Sequence, residues 1–224
     1  MSQSLTSFAD LLRTAKRSAV HLEMRDAVYS YQRAQVTTSS GRYDLGMRVV
    51  DQALRDLEGQ DARRPSGVNT MRGMLHLRAA VIAGRAKDRD HAEARLAEAR
   101  ALAGQTGELP DYGMSWGPTN VEVHAVAITS EMDEFGAAIE LANDLRIPCD
   151  WTRSRAGHHW MDLGKAYAWE GHPEQALDYL QRARRAAPQQ TRYHPTARET
   201  VLALKRRERV RSGSLAQYAQ WIGV

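Results

Sequence analysis

The chain has 224 residues, 42% hydrophobic and 26% charged, an ordinary balance for a soluble globular protein and long enough to bury a core. No apolar run approaches the ~18 residues that cross a bilayer, no apolar signal core opens the chain, and a lone cysteine, Cys149, makes no internal disulfide, so a cytoplasmic protein is expected. The net charge of +4 is uneven: Arg182 to Arg211 hold ten Lys/Arg against two Glu, a balance of +8, which leaves −4 for the remainder.

Residues 1–40 contain neither Gly nor Pro. Phe8, Leu11, Leu12, Ala15, Ala19 and Leu22 form a stripe at helical spacing, and Ala27, Tyr31 and Ala34 continue a face that has drifted. This predicts a helix from about Thr6 and a second, or a continuation, ending at Ser39-Ser40-Gly41. Arg42-Tyr43-Asp44 opens the next helix, with Val49, Val50, Ala53, Leu54 and Leu57 on its apolar side. The stretch 59–73, with Pro65-Ser66-Gly67, reads as a loop. Residues 74–85 and 91–102 form the next helical pair, and a second long loop covers 104–118. Helices at 120–131 and 134–145 make a third pair, broken by Ile147-Pro148.

The clearest pattern lies in 157–190. Trp160, Leu163, Gly164 and Tyr167 have the spacing W-x2-L-G-x2-Y, followed by Gly171, Ala176, Leu180, Ala183 and Pro188. This resembles the tetratricopeptide repeat (TPR), a helix–turn–helix of about 34 residues. Trp160, Leu163 and Tyr167 share one helix face, Gly164 and Ala176 let the paired helix approach, Gly171 turns the chain and Pro188 stops the second helix. Weaker copies carry Gly46, Ala92 and Ala138 where the clear one has Ala176, at spacings of 46, 46 and 38 residues, so long inter-repeat loops are expected. Beyond Pro195, residues 196–211 read as a helix, and Ser214 caps a last one in which Leu215, Tyr218 and Trp221 cover the end of the array.

The expected fold is therefore all-α, a TPR-like right-handed solenoid of antiparallel helix pairs with about ten to twelve helices and a C-terminal capping helix. An N-terminal helix occupies 1–26. The repeat domain spans 27–224, with repeats at 27–59, 73–103, 119–146 and 157–190 and capping helices at 195–224.

Five segments, read in order, carry a more specific resemblance: SYQRAQVTTSSGRYDLGMRVVDQAL, LHLRAAVIAGRAKD, GELPDYGMSWGPTNVEVHAVAI, RAGHHWMDLGKAYAWEG and RARRAAPQQTRYHPTARETVLAL. Together they resemble the C-terminal sensory half of actinobacterial XRE-type helix-turn-helix regulators, with GPTNV at 117–121, AGHHW at 156–160 and QQTRYHP at 189–195 the most distinctive parts. The resemblance implies a regulator-like chain. Those regulators carry a DNA-binding domain ahead of the repeats, and the short, glycine-free N-terminal segment here does not match it. FADLLRTAKRSAVHLEMRDA resembles instead the start of a different small actinobacterial family, which implies a foreign N-terminus. Sequence-specific DNA binding by this chain alone is not expected.

If the first helices line a concave groove, its inner positions are Gln32 and Gln35, Arg78 and Arg85, Asn120 and His124, and His158, Asp162 and Lys165, each set on one helix face. Arg155 and Arg192 border the fourth repeat. Amides suit the backbone of an extended peptide, and cations suit a carboxylate. Asn120, just after Gly117-Pro118, lies where free N–H groups favour an acceptor. A peptide or partner protein is the expected occupant, and a homodimer remains open. His158 and Asp162 could begin a metal site, but no HExxH or Cys set supports one. Cys149 has no placed His, and no glycine loop cradles phosphate. Trp160, Tyr167 and Tyr179 read as core. No enzyme activity, cofactor or metal is expected. A plain scaffold is the rival reading, and DNA association through the basic C-terminal segment a third, against which stands a solvated face with cations near helix C-termini.

Overall fold

The computed structural model describes residues 19–58, 65–109, 115–149, 151–207 and 213–224; the helix expected from Thr6 therefore lies largely outside the described residues. Among these residues are eleven α-helices and no strand, only an isolated bridge between Leu109 and Trp116. In chain order the helices are α1 Ala19–Ser39, α2 Tyr43–Leu57, α3 Pro65–Arg85, α4 Arg89–Thr106, α5 Pro118–Glu131, α6 Phe135–Asn143, α7 Arg153–Trp169, α8 Pro173–Ala186, α9 Pro188–Tyr193, α10 Pro195–Arg206 and α11 Gly213–Ile222. Two compact units form, Met1–Gly107 and Glu108–Val224. None of the described helices is long and apolar enough to cross a membrane.

The same turn recurs at four places. Residues Gly41, Lys87, Asp133 and Gly171 all have positive φ, of 70°, 60°, 64° and 86°. In every case the following N–H reaches back five residues: Arg42 to Thr37, Asp88 to Ala83, Glu134 to Thr129 and His172 to Tyr167, at 2.8–3.2 Å. The positive-φ residue itself bonds the carbonyl three back, at 3.1–3.4 Å. This pair of bonds satisfies the last carbonyls of the first helix and reverses the chain. Five residues past each turn stand Gly46, Ala92, Ala138 and Ala176, all buried. Their N–H groups bond to Arg42, Asp88, Glu134 and His172 in turn. The small-residue register expected from sequence thus marks equivalent positions in four helical hairpins: α1–α2, α3–α4, α5–α6 and α7–α8.

Close approach explains the small side chains. A Cβ on Gly46 would stand 2.9 Å from Thr37 Oγ1 and 3.1 Å from Ile82 Cδ1. One on Gly164 would meet Leu180 Cγ at 3.1 Å and the Ala176 carbonyl at 3.3 Å. In the first unit α3 packs on α1, α2 and α4, and Met71, Met74, Leu75, Leu77, Ala79 and Ile82 make it almost wholly buried. In the second unit α7 is central, packed on α5, α6, α8, α9 and α10. Met161, Leu177, Leu180, Val201, Leu204, Leu215 and Tyr218 join α7, α8, α10 and α11 in one core. The Tyr218 hydroxyl donates to the Leu180 carbonyl at 2.8 Å, and Trp221 packs half-buried against this cluster.

Several boundaries differ from expectation. Pro65-Ser66-Gly67 is no loop but the first turn of α3, because proline is well placed at a helix start. Helix α4 runs on to Thr106, and α5 begins at Pro118 rather than Asn120. Helix α7 begins at Arg153, a turn before 157, while α6 stops at Asn143. Pro188 ends α8 but also opens the six-residue α9, which the sequence reading misses.

Candidate functional site

The expected groove residues fall in both units. In the first unit Gln32 and Gln35 are exposed on α1. Gln35 accepts from Arg78 Nη2 at 3.2 Å, and the Arg78 guanidinium sits 4.4 Å from the Tyr31 ring centre. Arg78 is thereby held in a clasp between α1 and α3, and Arg85 is half-buried two turns further on. Gln35 and Arg78 thus tie α1 to α3.

In the second unit Asn120 has no exposed surface and His124 is buried at 8%. The placement of Asn120 as a groove-facing clamp is therefore corrected: α5 starts at Pro118, and the side chain points into the packed interior. His124 Nδ1 lies 2.8 Å from the Asn120 carbonyl, and Arg155 Nη1 lies 3.4 Å from His124 Nε2. A carbonyl only accepts and a guanidinium only donates, so both contacts require the neutral Nδ1–H tautomer of His124. Arg155, half-buried at the start of α7, is thus braced from α5.

One turn along α7, His158 is exposed and meets two other elements. Gln190 Nε2 on α9 lies 2.6 Å from its Nδ1, and His194 Nε2 lies 3.1 Å from its Nε2. The two rings meet edge to face, centres 4.8 Å apart. If the Gln190 amide donates to Nδ1, His158 Nε2–H donates to His194 Nε2. Neither Gln190 nor His194 is among the residues singled out from sequence, although both lie in the QQTRYHP segment. Among the described residues no cluster of three or more His, Cys, Asp or Glu is placed to hold a metal ion.

Asp162 and Lys165 continue the α7 row half-buried, and Lys165 Nζ lies 5.7 Å from the Phe135 ring centre. Arg192 is exposed over its neighbour Tyr193 at 5.9 Å. The geometry thus brings together Arg155, His158, Asp162 and Lys165 on one face of α7, flanked by His124 from α5 and by Gln190 and His194 from the α9–α10 corner.

Among the described cations of the basic C-terminal segment, Arg182, Arg184, Arg198 and Arg207 are engaged within their own unit. Arg198 donates to the Ile222 and Gly223 carbonyls at 2.7 and 3.2 Å, and Arg207 donates to the Ala168 carbonyl. Arg198 and Arg207 sit on carbonyls at helix C-termini, where charge and macrodipole are complementary. Arg182 pairs with Asp178 at 2.8 Å, and Arg184 lies 4.4 Å from the Trp221 ring centre.

Compared with protein-family profiles, curated proteins and solved structures, the chain matches none.

Proposed function

We propose that the chain is a ligand-sensing TPR-like repeat protein, related to the sensory half of XRE-type regulators, that binds an acidic peptide along α7. Four hairpins sharing one turn and one close-packed small residue support the TPR-like reading. The single observation that carries the binding reading is the polar row Arg155, His158, Asp162 and Lys165, flanked by His124, Gln190 and His194 from neighbouring elements. A row of mixed donors and acceptors about 15 Å long on one helix suits an extended backbone, and its two cations suit carboxylates. Recognition is binding without bond chemistry, and the chain alone does not discriminate DNA sequences.

The test is fluorescence anisotropy with labelled acidic, neutral and basic hexapeptides at physiological salt. Acidic peptides are expected to bind best. Arg155→Gln and Lys165→Gln are expected to weaken them about tenfold each, the loss of one charge-assisted contact. Equal binding of the three peptide classes, or indifference to both variants, contradicts the reading.

A further inference from the structure

A cavity of about 340 Å³ opens on a different side of α7, among α6, the segment that follows it, and α8. Its origin is a length mismatch. The second helices of the other three hairpins have 15, 18 and 14 residues, whereas α6 has nine. Pro148 disfavours helical geometry at Ile147, and α6 stops at Asn143. The aromatic row that sequence reads as core is therefore only part-covered. Trp160, Tyr167 and Tyr179 are each half-buried and line the cavity.

The lining has a definite chemistry. Tyr167 and Tyr179 stack with ring centres 5.1 Å apart and planes 12° apart, and Trp160 lies 5.8 Å from Tyr179. Flat faces of this kind favour a planar ring over a branched aliphatic group. The Arg182 guanidinium is 4.9 Å from the Tyr179 ring centre and 5.8 Å from that of Trp160. Arg146 joins it on the wall, and among the described residues no carboxylate lines the cavity. A second cation is disfavoured there, and an anion has two guanidiniums to meet. Arg182 pairs with Asp178 across an exposed i,i+4 contact, which is weak enough for a ligand carboxylate to compete. His159 also lines the cavity, 1% exposed, and its Nδ1 makes no hydrogen bond within the protein. A buried polar atom left without a partner costs free energy that a polar group of a ligand would recover.

We propose that this cavity binds a planar aromatic carboxylate, with its ring against Trp160 and Tyr179 and its acid group on Arg182 and Arg146. The volume lies at the lower end of small-molecule sites, which suits one or two fused rings. This site shares no side chain with the polar row of α7 and does not rest on the peptide reading.

The experiment is titration calorimetry of the full chain with 2-naphthoate, 2-naphthylmethanol and cyclohexylacetate. Naphthoate is expected to bind at least about tenfold more tightly than either the uncharged or the non-planar probe. The Arg146→Gln/Arg182→Gln double variant, changed only at exposed positions, is expected to lose at least about tenfold in affinity while its melting temperature stays within a few degrees. Ala142→Leu, which fills the cavity without removing a polar group, is expected to abolish binding, and His158→Ala to leave it unchanged. No heat with naphthoate up to about 5 mM, equal affinity for naphthylmethanol, or full affinity in the double variant overturns the proposal. Loss of naphthoate binding in His158→Ala moves the site to the polar row and overturns it equally.

Discussion

Two buried histidines, His76 in the first unit and His159 in the second, couple stability to pH. Burial pushes the His159 imidazole down to about 4, and burial with the nearby Arg95 does the same to His76. Both stay neutral in the folded chain while an unfolded histidine titrates near its ordinary value of about 6.5. The sign follows: between about 6.5 and 4 the unfolded chain binds more protons, so stability falls as pH falls through that window and is fully present above it. The effect is of order 3 kcal/mol per histidine at most. Thermal melts from pH 7.5 to 5 should show a falling midpoint, and His159→Leu should show a shallower fall. Asn120 makes a different residue-scale prediction. Because it is fully buried, Asn120→Ala is expected to cost about 1–3 kcal/mol by urea melting, whereas the exposed His158→Ala should stay within about 0.5 kcal/mol.

At the scale of elements, the recurring turn separates what sequence shows from what it hides. Gly41 and Gly171 announce their turns because glycine takes positive φ without strain. Lys87 and Asp133 occupy the same conformation unannounced, at 60° and 64°. The L side chain there costs about 1 kcal/mol, so Gly171→Ala is expected to destabilise the chain by about that amount, and Lys87→Gly to be neutral or stabilising, both measurable by urea denaturation. The small residues Gly46, Ala92, Ala138 and Ala176 were legible for a related reason: close backbone approach admits nothing larger, so the constraint is written at single positions. Helix ends were less legible. Pro65 and Pro188 each read as a break; Pro65 instead begins a helix, and Pro188 both follows the end of one and begins another, since proline's missing N–H is harmless in a first turn. The short α6 was also hidden, because the helical pattern reads on to Leu145 whereas the helix stops at Asn143. Hence Trp160 reads as core from its spacing but stands half-buried beside a cavity. The clustering of His158 with Gln190 and His194 was beyond sequence, for it depends on α9 folding back onto α7.

Across the whole molecule, chemically similar residues have unlike partners. Arg78 and Gln35 in the first unit hold α1 to α3, while Arg155, His158 and Lys165 in the second form a row along one helix face. Composition treats these sets alike; only their partners distinguish them. Much of the C-terminal positive charge is likewise spent on helix-end carbonyls and aromatic rings within its unit. The most direct test of the central claim is to map an acidic hexapeptide onto the ¹⁵N-labelled chain through its arginine and histidine side-chain resonances. The account predicts shifts for Arg155, His158 and His194, with Arg78 and Arg85 unmoved. Saturable shifts confined to Arg78 and Arg85, or no saturable shift anywhere, would contradict it.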